Sequence, residues 1–298
     1  LSAETLLRDF RFRQVTDRTA IFGLAGSPIG HSVSPAMHNA ACAATGVDAV
    51  YLPLPSADAD DFLQFATALG VSGASVTIPH KVRLFERADE VEGEARQIGA
   101  INTLKRQGQR WIGMNSDLAG FLNPIDARGI SLAGTRLASL GAGGAARSVA
   151  IGARARGASV TVYARDIERA RPVAALANGH ASLLPPAPGS WDVLVNCTPI
   201  GMHPNADASP LPLSADDRLV SAPSNQPPAH RLVYDLIYNP VETRLLRAAR
   251  AAGYDTIGGL DMLVEQAIEQ FRWWTGIRPD PAPMRAAAIA RLSEFRDR

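Results

Sequence analysis

Lysine is nearly absent from this chain. Of 30 basic residues only Lys81 and Lys105 are lysines. Arginine stays charged at any working pH, whereas lysine can give up and regain a proton. Keeping lysine at Lys81 therefore marks it for proton transfer; the bland alternative is a solvated surface lysine. Cysteine is equally scarce. Cys42 and Cys197 lie far apart, outside any metal or redox spacing, which excludes a disulfide framework and a cysteine-based metal centre. The expectation is two buried free thiols in a reducing cytoplasm, with no metal. The net charge is only +1, so nothing implies a general attraction to nucleic acid or to acidic membranes. No apolar run approaches a membrane span, and the N-terminus lacks the charged-then-apolar layout of a signal peptide. The chain begins with Leu1 rather than Met, which points to processing, trimming or a longer parent protein.

What is present is an alternation of strands and helices. At 298 residues and 46% hydrophobic, the chain has room for two domains. Leu1–Arg18 reads as an arm or short helix. Ala20–Ala25 is an apolar run, hence a buried strand, and Ala49–Leu54 is a second. Between them lies GSPIGHSVSPAMHN, Gly26–Asn39. Ser34 followed by Pro35 predicts a helix start with Ser34 as N-cap, running to about Thr45 and ending at Gly46. Ser32 has no capping duty, and two hydroxyls on one strand-to-helix loop suit a polyol ligand. His31 and His38 are expected to be structural. Ala57–Leu69 has helical spacing through Phe62, Phe65, Ala66 and Leu69.

GASVTIPHK, Gly73–Lys81, reads as a strand stopping at Pro79, with Pro79 as first helical residue and Lys81 in the first turn. The positive end of that helix favours a neutral amine. Val82, Phe85 and Ala88 form its apolar face. GAINTL (Gly99–Leu104) and the strand Arg110–Met114 follow. Asn115-Ser116-Asp117 opens another helix, where Asp117 could do no more than compensate the helix dipole. Alternating elements imply a mostly parallel sheet with helices on both faces, an α/β class.

Leu137–Arg147 changes the chemistry. A strand runs into GAGGAAR, in which Gly141, Gly143 and Ala146 fit G-x-G-x-x-(G/A), with a helix and a second strand, Ser159–Tyr163, behind it. In that context the motif signals a dinucleotide pyrophosphate; Arg147 adds positive charge nearby. The second strand ends Tyr163-Ala164-Arg165, with Arg169 one turn on. Two guanidinium groups suit the 2′-phosphate of NADP. Asp166 between them favours NAD, unless it merely caps the helix Ile167–Leu176. Trp191–Cys197 is a strand whose end, Thr198 to Gly201, faces the cofactor. His203–His230 reads as a long irregular connection. The strand Leu232–Ile237, the helix Thr243–Ala252 and the strand Tyr254–Ile257 precede a long helix, Leu260–Gly276. Its stripe Met262, Leu263, Ala267, Phe271 and Trp274 is core, and Gln266 among them needs a polar partner. Met284–Phe295 is a terminal helix. There are no internal repeats.

Taken together, GSPIGHSVSPAMHN, VTIPHK, GAINTL, NSD-LAGF, GAGGAAR, NCTPIGM, YDLIYNP and GLDMLVEQA stand in the order of the shikimate dehydrogenases, which the chain resembles from Ala20 to about Gly276. RFRQVT, Arg11 to Thr16, also resembles the junction in bifunctional proteins that begin with a dehydroquinate dehydratase. The resemblance implies two lobes, one for the polyol acid and a Rossmann-type lobe for the dinucleotide, with C-terminal helices returning to the first lobe. Expected boundaries are 1–118, 119–258 and 259–298. The implied reaction is reversible NADPH-dependent reduction of 3-dehydroshikimate to shikimate, with Lys81 and Asp117 as the catalytic pair. Ser32, Ser34, Thr77, Asn102, Tyr238 and Gln266 match substrate contacts. Gly141, Ala142, Gly143, Gly144, Ala145, Arg165 and Arg169 match the cofactor cradle, joined by Thr198; Leu236 and Gly259 match positions near the nicotinamide. The family contains monomers and homodimers. The chain departs from the pattern at Asp166, at Ser75, where Asn is usual, and at Ser116, where Thr is usual.

Three other functions compete with that one. An NAD-accepting quinate/shikimate dehydrogenase is favoured by Asp166. A non-catalytic sensor of a quinate-type ligand is disfavoured by the presence of both Lys81 and Asp117. A dehydrogenase acting on a folate, as methylenetetrahydrofolate dehydrogenases do, is disfavoured by the paired serines of HSVSP.

Overall fold

The computed structural model describes Phe10, residues 15–213 and residues 231–296. The arm expected for Leu1–Arg18 lies mostly outside the described residues, as does the 214–230 part of the expected irregular connection. The chain divides into two compact units, Leu1–Ser116 with Gln266–Arg298, and Asp117–Glu265. These limits differ by a few residues from the expected boundaries near 118 and 258.

The first unit holds β1 (Ala20–Gly26), α1 (Ser34–Thr45), β2 (Ala49–Pro55), α2 (Ala59–Ala68), β3 (Val71–Val76), α3 (Lys81–Arg87), β4 (Glu90–Val91), α4 (Ala95–Ile98), β5 (Thr103–Gln107) and β6 (Arg110–Met114). They build a six-stranded sheet ordered β2-β1-β3-β5-β6-β4. β1 pairs in parallel with β2 and β3, while β5 runs antiparallel to β3 and β6. The antiparallel turn-back brings the start of β5 to the end of the sheet where β1 and β3 finish. A core around Phe62, Leu84, Ile101 and Leu104 closes one face of this sheet.

Local chemistry sets the ends. α1 finishes at Gly46, whose φ of +73° is cheap only for glycine. α2 is capped by Asp58, which accepts from the Asp61 amide at 2.9 Å. Three expectations are corrected here. Phe65 and Leu69 are exposed, so α2 buries only Ala59, Phe62 and Ala66. Val82 is exposed as well, and Leu84 anchors α3. Pro79 lies outside the helix, which is capped by His80 and begins at Lys81. The short β4 and α4 carry too few residues to show a period, and nothing in the sequence announces them.

The second unit holds α5 (Asp117–Asp126), β7 (Arg136–Leu140), α6 (Gly144–Ala155), β8 (Ser159–Ala164), α7 (Ile167–Leu176), β9 (His180–Leu183), β10 (Val193–Asn196), β11 (Leu232–Asp235), α8 (Arg244–Ala251), β12 (Asp255–Ile257) and the first part of α9 (Gly259–Thr275). Its sheet is ordered β12-β11-β10-β7-β8-β9 with every pair parallel. Counting from β7, this is the doubly wound 3-2-1-4-5-6 order of dinucleotide-binding folds, with the switch point between β7 and β10. The edge strand β9 is short and partly exposed, and no hydrophobic pattern announces it.

The rest of α9 and the terminal helix α10 (Pro281–Arg296) belong to the first unit, where α10 packs against α1. Trp274 stacks on Phe22 and donates to the Leu104 carbonyl at 2.9 Å. A Cβ on Gly73 would stand 2.7 Å from its ring nitrogen, so this ring requires glycine there. Among the described residues no helix is long and apolar enough to cross a membrane.

His38 is structural, as expected. Its ring lies 4.4 Å from that of Tyr51 and nearly parallel to it, fully buried. Burial pushes its pKa from 6.5 down to about 3. The unfolded chain therefore takes up a proton first, and stability falls as pH drops from 6.5 towards 3, by about 1.4 kcal/mol per pH unit within that window. Urea unfolding at neutral pH and at about pH 4.5 should show this slope in the wild type. His38→Gln should lose its share of it, and an unchanged slope would assign the acid sensitivity elsewhere.

Candidate active site

Two polar regions stand out, one in each unit. In the first unit, expected ligand residues gather where β1 and β3 end and β5 begins. Ser32 and Ser34 follow β1, Thr77 follows β3, Lys81 opens α3, and Asn102 precedes β5. Backbone bonds tie these segments together. The Thr77 amide donates to the Ala25 carbonyl at 2.9 Å, and the Ile101 amide donates to the Lys81 carbonyl at 3.0 Å. The Val76 amide donates to the Asn102 carbonyl at 2.7 Å.

Ser34 does not take the capping role expected of it. Val33 is the N-cap of α1, and Ser34 is already helical, without a capping bond. The Ser32 hydroxyl instead accepts from the Ser34 amide at 3.2 Å. A serine before proline reads as a cap in sequence, but only a cap's extended backbone lets its hydroxyl reach the next turn. Lys105, the other lysine, has a structural post: it donates to the Trp273 carbonyl at 2.8 Å and lies 5.7 Å over that ring.

Asn102 is held from all sides. Its Oδ1 accepts from the Thr103 hydroxyl and the Ser116 amide, both at 2.8 Å, and its Nδ2 donates to Gln266 Oε1 at 3.2 Å. Gln266 thus finds the polar partner that its apolar neighbours demand. No sequence signal points to Gln270, one turn further along α9. It is buried, accepts from the Ser75 hydroxyl at 2.8 Å and donates to the Asn102 carbonyl and the Thr103 hydroxyl at 3.1 Å. The unusual serine at position 75 therefore has a partner.

In the second unit a cleft of about 1050 Å³ opens at the switch point. Gly141, Ala142, Gly143, Arg165, Asp166, Arg169 and Thr198 line it. Gly141 has φ +98°, and a Cβ there would meet the Thr198 methyl at 2.9 Å. Gly143 and Gly144 are different: a Cβ on either meets nothing within 4 Å. The protein itself does not crowd these two positions, whereas a pyrophosphate bound at the N-terminus of the twelve-residue α6 would leave no room for a side chain at the cleft-lining Gly143. The lining fits a dinucleotide.

Asp166 Oδ1 accepts from the Glu168 amide at 3.0 Å, capping α7. Arg165 and Arg169 flank the cleft beside it. Asp166→Ala should cost about 1 kcal/mol of stability, as the loss of a cap does. It should move the NADP-to-NAD preference by less than about threefold, as expected of one screened surface charge. Thermal unfolding and kcat/KM with both cofactors check this; a swing of tenfold or more would make Asp166 a determinant of cofactor choice rather than a cap.

Other expected residues lie around this cleft or apart from it. Gly144 and Ala145 sit in the first turn of α6, and neither is among the cleft-lining residues, nor is Arg147. Leu236 follows β11, and Gly259 opens α9 with no room for a Cβ, which would lie 2.3 Å from the Leu236 carbonyl oxygen. Asp117 is buried at the start of α5 in the second unit. Tyr238 is in this unit too; burial pushes its pKa upward, so the phenol keeps its proton. The cleft-lining Cys197 is half-buried as a residue rather than buried, but its sulfur is enclosed, and that desolvation pushes the thiol up to about 12, which leaves it unreactive. Met202, which closes the NCTPIGM motif, also lines the cleft, as do Leu184, His203 and Asn205, which no sequence signal marks.

Comparison with known proteins supplies the context. Residues 24–104 match the family described as shikimate dehydrogenase substrate binding domain, and residues 259–289 match shikimate 5'-dehydrogenase C-terminal domain. A relative from Symbiobacterium thermophilum, named shikimate dehydrogenase (NADP(+)), is 42% identical over 287 residues, spanning 91% of this chain and 94% of its own. The solved shikimate 5-dehydrogenase of Thermus thermophilus, in complex with NADP(H) and shikimate, has a TM-score of 0.80 at 34% identity, covering 92% of this chain and 100% of its own. The ligand-free 5-ketofructose reductase of a Gluconobacter species has a TM-score of 0.80 at 32% identity, covering 92% and 99%. With identity at this level sustained over nearly the full length of both chains, this chain belongs to the shikimate dehydrogenase family.

Proposed function

We propose that the protein reversibly reduces 3-dehydroshikimate to shikimate with NADPH. The observation that carries this reading is the division of chemistry between the two units. The first carries hydroxyl and amide groups and the scarce lysine on the segments where β1 and β3 end and β5 begins, as suits a polyol acid. The second presents glycines that only a ligand explains, beside Arg165 and Arg169.

When bound, the nicotinamide supplies the hydride. The chain's own residues do the rest. Ser32 and Ser34 hold the substrate carboxylate, and Thr77, Asn102, Gln266 and Tyr238 hold its hydroxyls. Locked by its neighbours, Asn102 presents its amide in one orientation, so binding needs little reordering. Lys81 delivers a proton to the C3 oxygen as the ketone is reduced and takes it back in the oxidation. Asp117 completes the proton-transfer pair. Gly141 to Ala145 cradle the pyrophosphate, joined by Thr198; Leu236 and Gly259 border the nicotinamide, and Arg165 and Arg169 meet the 2′-phosphate.

The test is steady-state oxidation of shikimate and of quinate, each with NADP⁺ and with NAD⁺, together with reduction of 5-ketofructose by NADPH. The largest kcat/KM should belong to shikimate with NADP⁺. Quinate with NAD⁺ in first place would favour the quinate/shikimate alternative, and 5-ketofructose in first place would overturn the substrate assignment.

A further inference from the structure

At the end of β11, Asp235 has no solvent exposure. A buried carboxylate is costly unless every lone pair facing protein finds a donor. Three donors reach it. Asn196 Nδ2 donates to Oδ1 at 2.9 Å, the Ile237 amide donates to Oδ1 at 3.1 Å, and the Thr243 hydroxyl donates to Oδ2 at 2.7 Å. Thr243 caps α8, so that bond anchors a helix. The other two lead towards the cleft.

Asn196 is the informative link. The NH₂ and oxygen ends of its amide are interchangeable in shape, so only its partners fix which way it faces. An ionised carboxylate only accepts, so Asp235 holds the NH₂ end of Asn196, which also donates to the Ile200 carbonyl at 3.3 Å. The Oδ1 end must then face Thr198, where it accepts from the Thr198 amide at 3.0 Å and the Thr198 hydroxyl at 2.7 Å. The same hydroxyl accepts from the Ile200 amide at 3.2 Å. The hydroxyl proton is thereby committed to Asn196 and not to the cleft that Thr198 lines. On the other branch, the Ile237 bond holds the backbone between Leu236 and Tyr238, and the Leu236 amide donates to the Asn196 carbonyl at 3.1 Å.

We infer that Asp235 is a positioning residue for the cofactor cleft: through Asn196 it sets the orientation of Thr198 and its turn, and through Ile237 it fixes the segment carrying Leu236 and Tyr238. This rests on the reading of the cleft as the NADP site. Burial pushes the Asp235 pKa up to about 6, against its three hydrogen bonds, so the carboxylate is ionised at neutral pH as the geometry requires.

The experiment compares Asp235→Ala, Asp235→Asn and Asn196→Ala with the wild type. Readouts are thermal unfolding, the NADP⁺ dissociation constant by titration, and KM for each substrate with the other saturating. Asp235→Ala should weaken NADP⁺ binding by roughly tenfold, the size of one lost hydrogen bond. The KM for shikimate should rise by a smaller factor, because Tyr238 is the one proposed shikimate contact on the segment that Asp235 holds. Asp235→Asn keeps an acceptor oxygen for Asn196 and Ile237 and should restore most of the affinity. Asn196→Ala should weaken NADP⁺ binding as well, and the double variant should lose clearly less than the sum of the two single losses; Asn196→Ala carries the same expectation if Asp235→Ala does not fold. Folded variants with wild-type NADP⁺ affinity, additive losses, or equal damage from alanine and asparagine would each overturn the inference. Failure of the wild type to bind NADP⁺ would overturn the proposed function along with it.

Discussion

Lys81→Ala lowers kcat by about 10²–10⁴-fold, the usual contribution of a positioned acid–base group, while the KM for shikimate changes far less. The fold should survive. Lys81 is the first residue of α3, alanine is the best helix former, and the bond that Ile101 makes to this residue is to its backbone carbonyl. Lys81→Arg separates charge from proton transfer. It keeps the cation but cannot give up a proton, so turnover should stay low. Lys105→Ala is the control: it removes a bond to the Trp273 carbonyl and should lower stability but not kcat. If Lys81→Ala retained its turnover number, or Lys81→Arg restored it, proton transfer by Lys81 would be ruled out.

Gly143→Val weakens NADP⁺ binding by about 100-fold or more, since several backbone contacts of roughly 1 kcal/mol each are lost when the pyrophosphate is pushed off the turn. The sharper part of the expectation is that the protein still folds. Gly143 has φ −84° and ψ −172°, an extended conformation open to valine, and its Cβ would meet nothing within 4 Å. A poorer N-cap on α6 costs at most about 1 kcal/mol. Gly141→Ala should behave in the opposite way. With φ +98° and the Thr198 methyl 2.9 Å away, it is strained and crowded before any ligand arrives, so it loses stability. Titration with NADP⁺ and thermal unfolding on both variants separate the two. A Gly143→Val protein that bound NADP⁺ normally would mean that the pyrophosphate does not cross this turn.

Much of the fold is readable from periodicity and punctuation, because the second sheet is made of short apolar strands, most of them followed by a turn and a helix. The helix Ile167–Leu176 is found where its pattern places it, and the Asp166 cap with it. Sequence misleads where backbone geometry decides. Ser34-Pro35 looks like cap and first turn, yet Val33 is the cap, so Ser32 takes the local bond and Ser34 does not. Pro79 looks like a helix start, but the chain turns once more before His80. Phe65 and Leu69 have helical spacing yet face outward, since α2 buries only Phe62 and two alanines.

The site is legible where a motif is contiguous, as in GAGGAAR or VTIPHK. It is illegible where partners are remote. Asn196 and Asp235 are 39 residues apart, and Ser75 and Gln270 are 195 apart. Only the folded chain shows that a buried carboxylate orients Thr198, or that Gln270 supports Asn102 from behind Gln266.

The most direct test of the central claim is to follow the hydrogen itself. NADPH carrying deuterium at the transferable position of nicotinamide carbon 4 is incubated with 3-dehydroshikimate and the protein, and the product is analysed by mass spectrometry and proton NMR. The account predicts shikimate heavier by one deuterium, with the label on carbon 3, and no such product from Lys81→Ala on the same timescale. Unlabelled product, label on another carbon, or consumption of NADPH without formation of shikimate would contradict it.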